Sequence, residues 1–295
     1  MLYNKEKKAD SIFNTIEKDS SYNPVLINKL KLDNPIPYPD LMENIISNAI
    51  KFAPESTKVM IKSDVNDDTA LMVNATMNGQ LDVPAQVVRL RLLNGSSQRT
   101  FNFGLTANRT FYLIGTDGGL INTPLALTRL PLSPGARAEI LVDFSSLQGQ
   151  TIHLMSYASE LANGNYGATY PGNSPSKPLD GYNPNPLNGA DFNVLQMDVV
   201  AQTASPITTI PTTLVNDVPL AEVTADETRS FRFAPLTSGS QQLNGDFSIN
   251  GVTMDMNVIN VTVPLNNTEI WTLENFSAIA HPFHIHDVQN FKVIK

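Results

Sequence analysis

The chain has 295 residues, 41% of them apolar, and a formal net charge of −8. This is a globular composition, and no apolar run approaches the roughly 18 residues that a membrane-spanning helix requires. No basic patch is dense enough to indicate nucleic-acid binding, and the absence of cysteine excludes disulfides, thiolate catalysis and thiolate metal ligands.

Residues 1–69 differ in composition from the rest and are predicted to form a separate, partly helical segment. They contain nine Lys and no Arg, whereas the remaining residues contain eight Arg and three Lys. Apolar residues at helical spacing predict helices over Ala9–Lys18 and Leu41–Phe52, with an extended proline-containing connector between them. The charged start, Met1–Lys8, is not followed by an apolar stretch, so we expect no secretory signal peptide. We expect this segment to lie outside the β-sheets.

Residues 70–202 alternate between apolar and polar side chains in short runs, which predicts a complete antiparallel β-sandwich. Val87–Leu93 is the clearest run, because Arg89 and Arg91 alternate with apolar residues and the turn signal Asn94-Gly95 follows. The other predicted strands are Thr100–Leu105, Thr110–Gly115, Ala138–Phe144, Thr151–Tyr157 and Phe192–Val200. Gly, Asn and Pro are frequent from Asn163 to Ala190, so we expect a long exposed loop there.

Residues 203–295 are predicted to begin with a linker and to continue as a second sandwich that is incomplete. The predicted strands are Arg229–Ala234, Phe247–Asn250, Val258–Val263 and Glu269–Asn275. A Greek-key sandwich normally takes about 100 residues or more, and fewer follow the linker here.

Three of the four histidines lie within six residues, in the run His281-Pro282-Phe283-His284-Ile285-His286. Along an extended segment His284 and His286 project to the same face, about 7 Å apart at the backbone, while Pro282 lets His281 point elsewhere. Neutral imidazoles bind zinc, copper, iron and nickel. We therefore predict a metal role for these three histidines; the alternative is a solvated histidine-rich turn. The fourth, His153, is predicted to be an ordinary half-buried residue of its strand.

The second half of the chain resembles the third cupredoxin domain of multicopper oxidases, the family of laccases, bilirubin oxidases and bacterial copper oxidases. The residues that carry this resemblance are Phe247–Gly251, Glu269–Trp271, Glu274-Asn275 and His281–His286. Leu71–Asn74, Val87–Gly95, Gly115–Gly119 and Pro134–Glu139 are similar to the middle domain of the same family. The resemblance implies an all-β, cupredoxin-like Greek-key fold with one complete and one partial sandwich. It also implies copper as cofactor and oxidoreductase activity with dioxygen as acceptor, in a family that is usually periplasmic or secreted.

The resemblance further implies a role for each histidine. His281 matches the ligand of the type 1 copper, which accepts electrons from the substrate. His284 matches a ligand of the type 2 copper, and His286 a ligand of the type 3 pair, where the family reduces dioxygen to water. Phe283 and Ile285 would be packing residues that keep the site dry.

The sequence departs from the family pattern in its inventory of ligands. A type 1 site is a His₂Cys site, and this chain has no cysteine. The family's trinuclear cluster takes eight histidines, of which two are matched, and the sequence ends nine residues after His286. We therefore expect a truncated form that is unable, alone, to oxidise a substrate with dioxygen. The alternatives are a non-catalytic cupredoxin scaffold that binds a partner, either a completing chain or a second copy at an exposed sheet edge, and a protein that holds a single copper ion.

Overall fold

The structure, a computed structural model, describes residues 58–63, 71–172, 174–176, 179–182, 185–217, 225–237, 241, 243 and 245–285. The helices predicted over Ala9–Lys18 and Leu41–Phe52 lie outside these residues. Within them, no helix is long and apolar enough to cross a membrane.

The described residues are almost entirely β-structure, so the predicted fold class is confirmed. The strands are β1 (Lys58–Ser63), β2 (Leu71–Val73), β3 (Thr76–Met77), β4 (Gln80–Pro84), β5 (Val87–Asn94), β6 (Phe101–Leu105), β7 (Phe111–Thr116), β8 (Gly119–Leu127), β9 (Leu130–Leu132), β10 (Arg137–Asp143), β11 (Thr151–Tyr157), β12 (Asp191–Val200), β13 (Glu227–Pro235), β14 (Phe247–Ile249) and β15 (Glu269–Asn275). Single turns of 3₁₀-helix cover Thr106–Asn108 and Ala158–Glu160.

Strands β1 to β12 form two sheets that enclose one apolar core. The order is β3-β2-β1-β5-β10-β7-β8 in the seven-stranded sheet and β4-β12-β11-β6-β9 in the five-stranded sheet. Leu90 and Ile140 contribute to the core from the first sheet, and Phe103, Leu154 and Met197 from the second; each is fully buried. Alternation therefore places one face of each sheet in this core.

Strand β5 shows how the sequence pattern produces the sheet. Its apolar side chains enter the core, while Arg89 and Arg91 lie on the outer face and pair with Glu139 of the neighbouring strand β10. At its end, the buried Asn94 side chain donates from Nδ2 to the carbonyl oxygens of Arg99 (2.7 Å) and Leu132 (2.8 Å). A buried amide with its donors satisfied holds the turn after β5 in one conformation.

Two predictions about the first sandwich are wrong. Strand β1 belongs to the seven-stranded sheet, so residues 1–69 do not lie entirely outside the sheets. The sandwich is also not purely antiparallel, because β1 pairs with β5, and β4 with β12, in parallel. The chain between β1 and β5 passes through β4 of the other sheet, and a connection of this length lets β5 return beside β1 in the same direction.

A third sheet, in the order β14-β13-β15, carries the remaining strands. Asn250 and Gly251, at φ 53° and 78°, form the two-residue turn after β14, where positive φ favours these residue types. The strand predicted over Val258–Val263 is wrong. Val258 and Ile259 are 50% and 59% exposed there, and the structure assigns no strand to that segment. Branched apolar residues form a strand only where another strand pairs with them.

The segment 163–190 differs from the exposed loop that its composition predicts. Tyr166, Ala168 and Leu179 are buried. Tyr166 and Leu179 pack in a small apolar cluster with Leu243 and Ala278. The loop therefore connects the first sandwich with the chain that precedes the histidine run.

Candidate metal-binding site

The turn between strand β15 and the histidine run is held by a network of side chains. Asn275 Oδ1 accepts hydrogen bonds from the Ser277 backbone N–H (2.9 Å) and hydroxyl (2.8 Å). Asn275 Nδ2 donates to the Ile279 carbonyl oxygen at 2.7 Å. Ser277 Oγ also lies 2.7 Å from that carbonyl oxygen and 2.7 Å from Nε2 of His281. A side-chain-to-backbone turn of this type fixes the path of the chain from the end of β15 to His281.

This network favours one tautomer of His281. Ser277 Oγ and His281 Nε2 lie 2.7 Å apart, and which of them donates depends on the tautomer of the ring. The two oxygens beside the hydroxyl, Asn275 Oδ1 and the Ile279 carbonyl, can only accept, which favours a hydroxyl that donates to one of them and accepts from Nε2–H. In that tautomer Nδ1 carries the lone pair available to a metal.

The His281 ring is half-buried among aromatic side chains. It stacks on Phe233 with ring centroids 6.1 Å apart and meets Phe247 edge-on at 4.7 Å. Burial lowers the pKa of His281 below its ordinary value, and this favours the neutral imidazole that metals bind. Phe283 meets the rings of Phe233 and Trp271 at 6.1 and 6.4 Å. It is nevertheless 38% exposed, so the structure shows the ring contacts and not the exclusion of water expected of it.

His284 is exposed, unlike His281, and Ile285 is half-buried. His286 lies outside the described residues, so the structure does not test the pairing of His284 with His286. Within the described ranges, no group of three or more histidine, aspartate or glutamate side chains is arranged to hold a metal ion. The metal role of the three histidines stays a prediction.

His153, the remaining histidine, is half-buried in β11, as predicted. Its backbone N–H donates to Thr106 Oγ1 at 3.2 Å.

A partly buried ion pair links the two parallel strands β13 and β15. The Glu269 carboxylate is 3% exposed and accepts hydrogen bonds from Arg229 Nε and Trp271 Nε1, both at 2.7 Å. The bond from Arg229 lowers the pKa of Glu269 in spite of its burial. Paired in this way, the charge is tolerated where solvent reaches it only partly.

Sequence reasoning missed the residues that orient the histidine run. Asn275 entered only as part of a family pattern, and Ser277 and Gly164 were not singled out. An Asn followed two residues later by Ser is a local signal for a side-chain-capped turn. Nothing local in the sequence indicates Gly164, whose carbonyl oxygen accepts the Ala280 N–H at 2.7 Å from more than 100 positions away.

The residues present fit one kind of copper site and not another. Neutral imidazoles such as that of His281 suit a copper ion whose coordination is completed by water. A type 1 site does not fit, because the chain has no cysteine to supply its thiolate. With His284 and His286, the chain has three candidate imidazole ligands in this run.

Comparison with known families shows which proteins the chain is similar to. Two models of the multicopper oxidase family match residues 38–170 and 227–295, together more than half of the chain. A multicopper oxidase of Staphylococcus haemolyticus is 26% identical over 281 residues, which are 94% of this chain and 49% of that protein. Cell division protein FtsP of Xenorhabdus nematophila is 32% identical over 231 residues, which are 76% of this chain and 41% of that protein.

A solved structure agrees with the sequence relatives. A bacterial laccase-like multi-copper oxidase from Ochrobactrum sp. superposes with a TM-score of 0.56 at 27% identity, covering 78% of this chain and 52% of that one. The chain spans about half the length of the curated relatives that it matches. Copper is the metal that the family implies. From its sequence, its sheets and these matches, the chain belongs to the multicopper oxidase family.

Proposed function

We propose that this chain is a copper-binding module of the multicopper-oxidase type that does not by itself oxidise a substrate with dioxygen. The observation that carries the proposal is the donor inventory: a cluster of imidazoles with no cysteine anywhere in the sequence. Without a thiolate the chain has no type 1 site to pass electrons onward. The half-buried, neutral ring of His281 supports the copper-binding part.

Copper titration of the purified chain tests the binding part. We expect at most one Cu²⁺ per chain, bound through His281, His284 and His286. His284→Ala combined with His286→Ala should abolish binding, whereas the matched control His153→Ala should leave it unchanged. Three or four tightly bound copper ions per chain would contradict the proposal, as would binding that survives the double substitution.

Spectroscopy and oxygen uptake test the catalytic part. The copper-loaded chain should lack the intense blue band of the family, because that band arises from charge transfer between a thiolate and copper. It should also fail to couple phenol oxidation to oxygen consumption. Turnover at about 1 s⁻¹ or faster would show that the chain alone is a working oxidase.

A second candidate, a non-catalytic scaffold that binds a partner, is favoured by the match to a relative named as a cell division protein. In this reading the partner is a completing chain or a second copy that pairs with a sheet edge. Light scattering coupled to size-exclusion chromatography measures self-association directly. A monomer over the micromolar range would exclude the second copy and leave the completing chain.

A further inference from the structure

The loop that begins at residue 163, of which 163–172, 174–176 and 179–182 are described, connects the first sandwich with the residue immediately before His281. The Ala280 backbone N–H donates to the Gly164 carbonyl oxygen at 2.7 Å. Gly164 has φ +90°, a conformation that favours glycine. Its own N–H donates back within the loop to the Gly172 carbonyl oxygen at 2.9 Å. The residue before the histidine run is therefore hydrogen-bonded to a loop segment that has a backbone hydrogen bond of its own.

Side chains make the same connection. Tyr166 and Leu179 from the loop are 8% and 6% exposed, and they pack with Leu243 and with Ala278, which is 4% exposed. Ala278 belongs to the turn in which Ser277 contacts His281. This cluster, the junction cluster, buries apolar surface on both sides of the connection, which disfavours separation of the loop from the turn.

The same end of the loop, two residues after Gly164, is also fixed to the first sandwich. The Tyr166 carbonyl oxygen accepts the Thr100 N–H at 2.8 Å, and the Arg99 guanidinium lies 5.5 Å from the centre of the Tyr166 ring. Arg99 is 2% exposed. A Cβ added at Gly167 would lie 2.9 Å from the Thr100 carbonyl oxygen, so the two backbones are in close contact.

We infer that the junction cluster positions His281, so that the first sandwich sets the affinity with which the histidine run binds a metal ion. Tyr166 is the positioning residue, because it belongs to the junction cluster and also contacts the first sandwich. The inference rests on the proposed function for the binding of a metal ion, whereas the contacts between the loop and the turn do not depend on it. A ligand held in place before binding loses less conformational entropy when the metal arrives, so loosening it weakens binding.

Amide hydrogen exchange and copper titration of the whole chain test this inference. In Tyr166→Ala, exchange of the Ala280 N–H should become about tenfold faster, because its partner Gly164 is no longer held. The dissociation constant for Cu²⁺ should rise about tenfold. Tyr166→Phe keeps the aromatic ring of the junction cluster, so both values should lie closer to the wild type than those of Tyr166→Ala. Should Tyr166→Ala not fold, Leu179→Ala removes part of the same cluster and carries the same expectations.

Phe192→Ala is the matched control. Phe192 packs against the core of the first sandwich, with its ring 6.3 Å from Phe101, and is not part of the junction cluster. It should leave exchange at Ala280 unchanged. Unchanged exchange in Tyr166→Ala, or an equal effect in Phe192→Ala, would overturn the inference. If the wild-type chain binds no copper, the proposed function fails while exchange at Ala280 still decides whether the cluster positions the turn.

Discussion

Replacing Phe231 with Ala should lower the unfolding free energy of the three-stranded sheet. Phe231 is 8% exposed, and its ring centroid lies 4.7 Å from that of Trp271 on the neighbouring strand. Returning a phenyl ring to water costs about 2.5 kcal/mol, and the lost aromatic pair adds about 1 kcal/mol. The expected loss is therefore about 3.5 kcal/mol, within the range measured for Phe→Ala in protein cores.

The assay uses a probe that the chain already contains. Trp271 is the only tryptophan, so its fluorescence during urea unfolding reports on the third sheet alone. Phe276→Ala is the matched control: this ring is 55% exposed and contacts mainly the Arg232 guanidinium, 3.9 Å from its centre. It should cost less than about 1 kcal/mol. An equal loss of unfolding free energy in the two variants, or a loss below about 1 kcal/mol for Phe231→Ala, would refute the conclusion that Phe231 and Trp271 form an apolar core for this sheet.

Three further predictions concern the ion pair, the turn and the sandwich. Because the bond from Arg229 lowers the pKa of Glu269, its stabilisation is present above the unfolded pKa, near 4.5, and is lost as the pH falls through the lower folded pKa. Glu269→Gln should remove this pH dependence from the Trp fluorescence transition; an unchanged profile would contradict it. Ser277→Ala should change the ¹⁵N shifts of His281 from a single Nε2–H tautomer to a mixture, and a retained single tautomer would mean that Ser277 does not select it. Leu154→Ala, at a fully buried site, should cost about 3 kcal/mol in unfolding followed by circular dichroism, and a loss under about 1 kcal/mol would contradict its place in the core.

Local sequence determined the strands whose two faces differ. β5 and β11 were predicted within one residue of their observed bounds, because one face of each enters the core and the other face lies outside it. The histidine run and the lack of cysteine are likewise readable without a structure. These features depend on the alternation or the composition of neighbouring residues.

Tertiary structure decided everything that depends on a distant partner. Val258–Val263 has the residues of a strand and is not one, because β-propensity is realised only through pairing. The 163–190 segment has the composition of an exposed loop, yet Tyr166 is buried because it packs with Leu243 and Ala278. The contact between His281 and Ser277 follows from a turn that brings Ser277 Oγ within 2.7 Å of Nε2 of the ring. Alternation along the chain indicates which face of a strand a residue occupies. It does not indicate which distant segment covers that face, because that contact forms only when the chain folds.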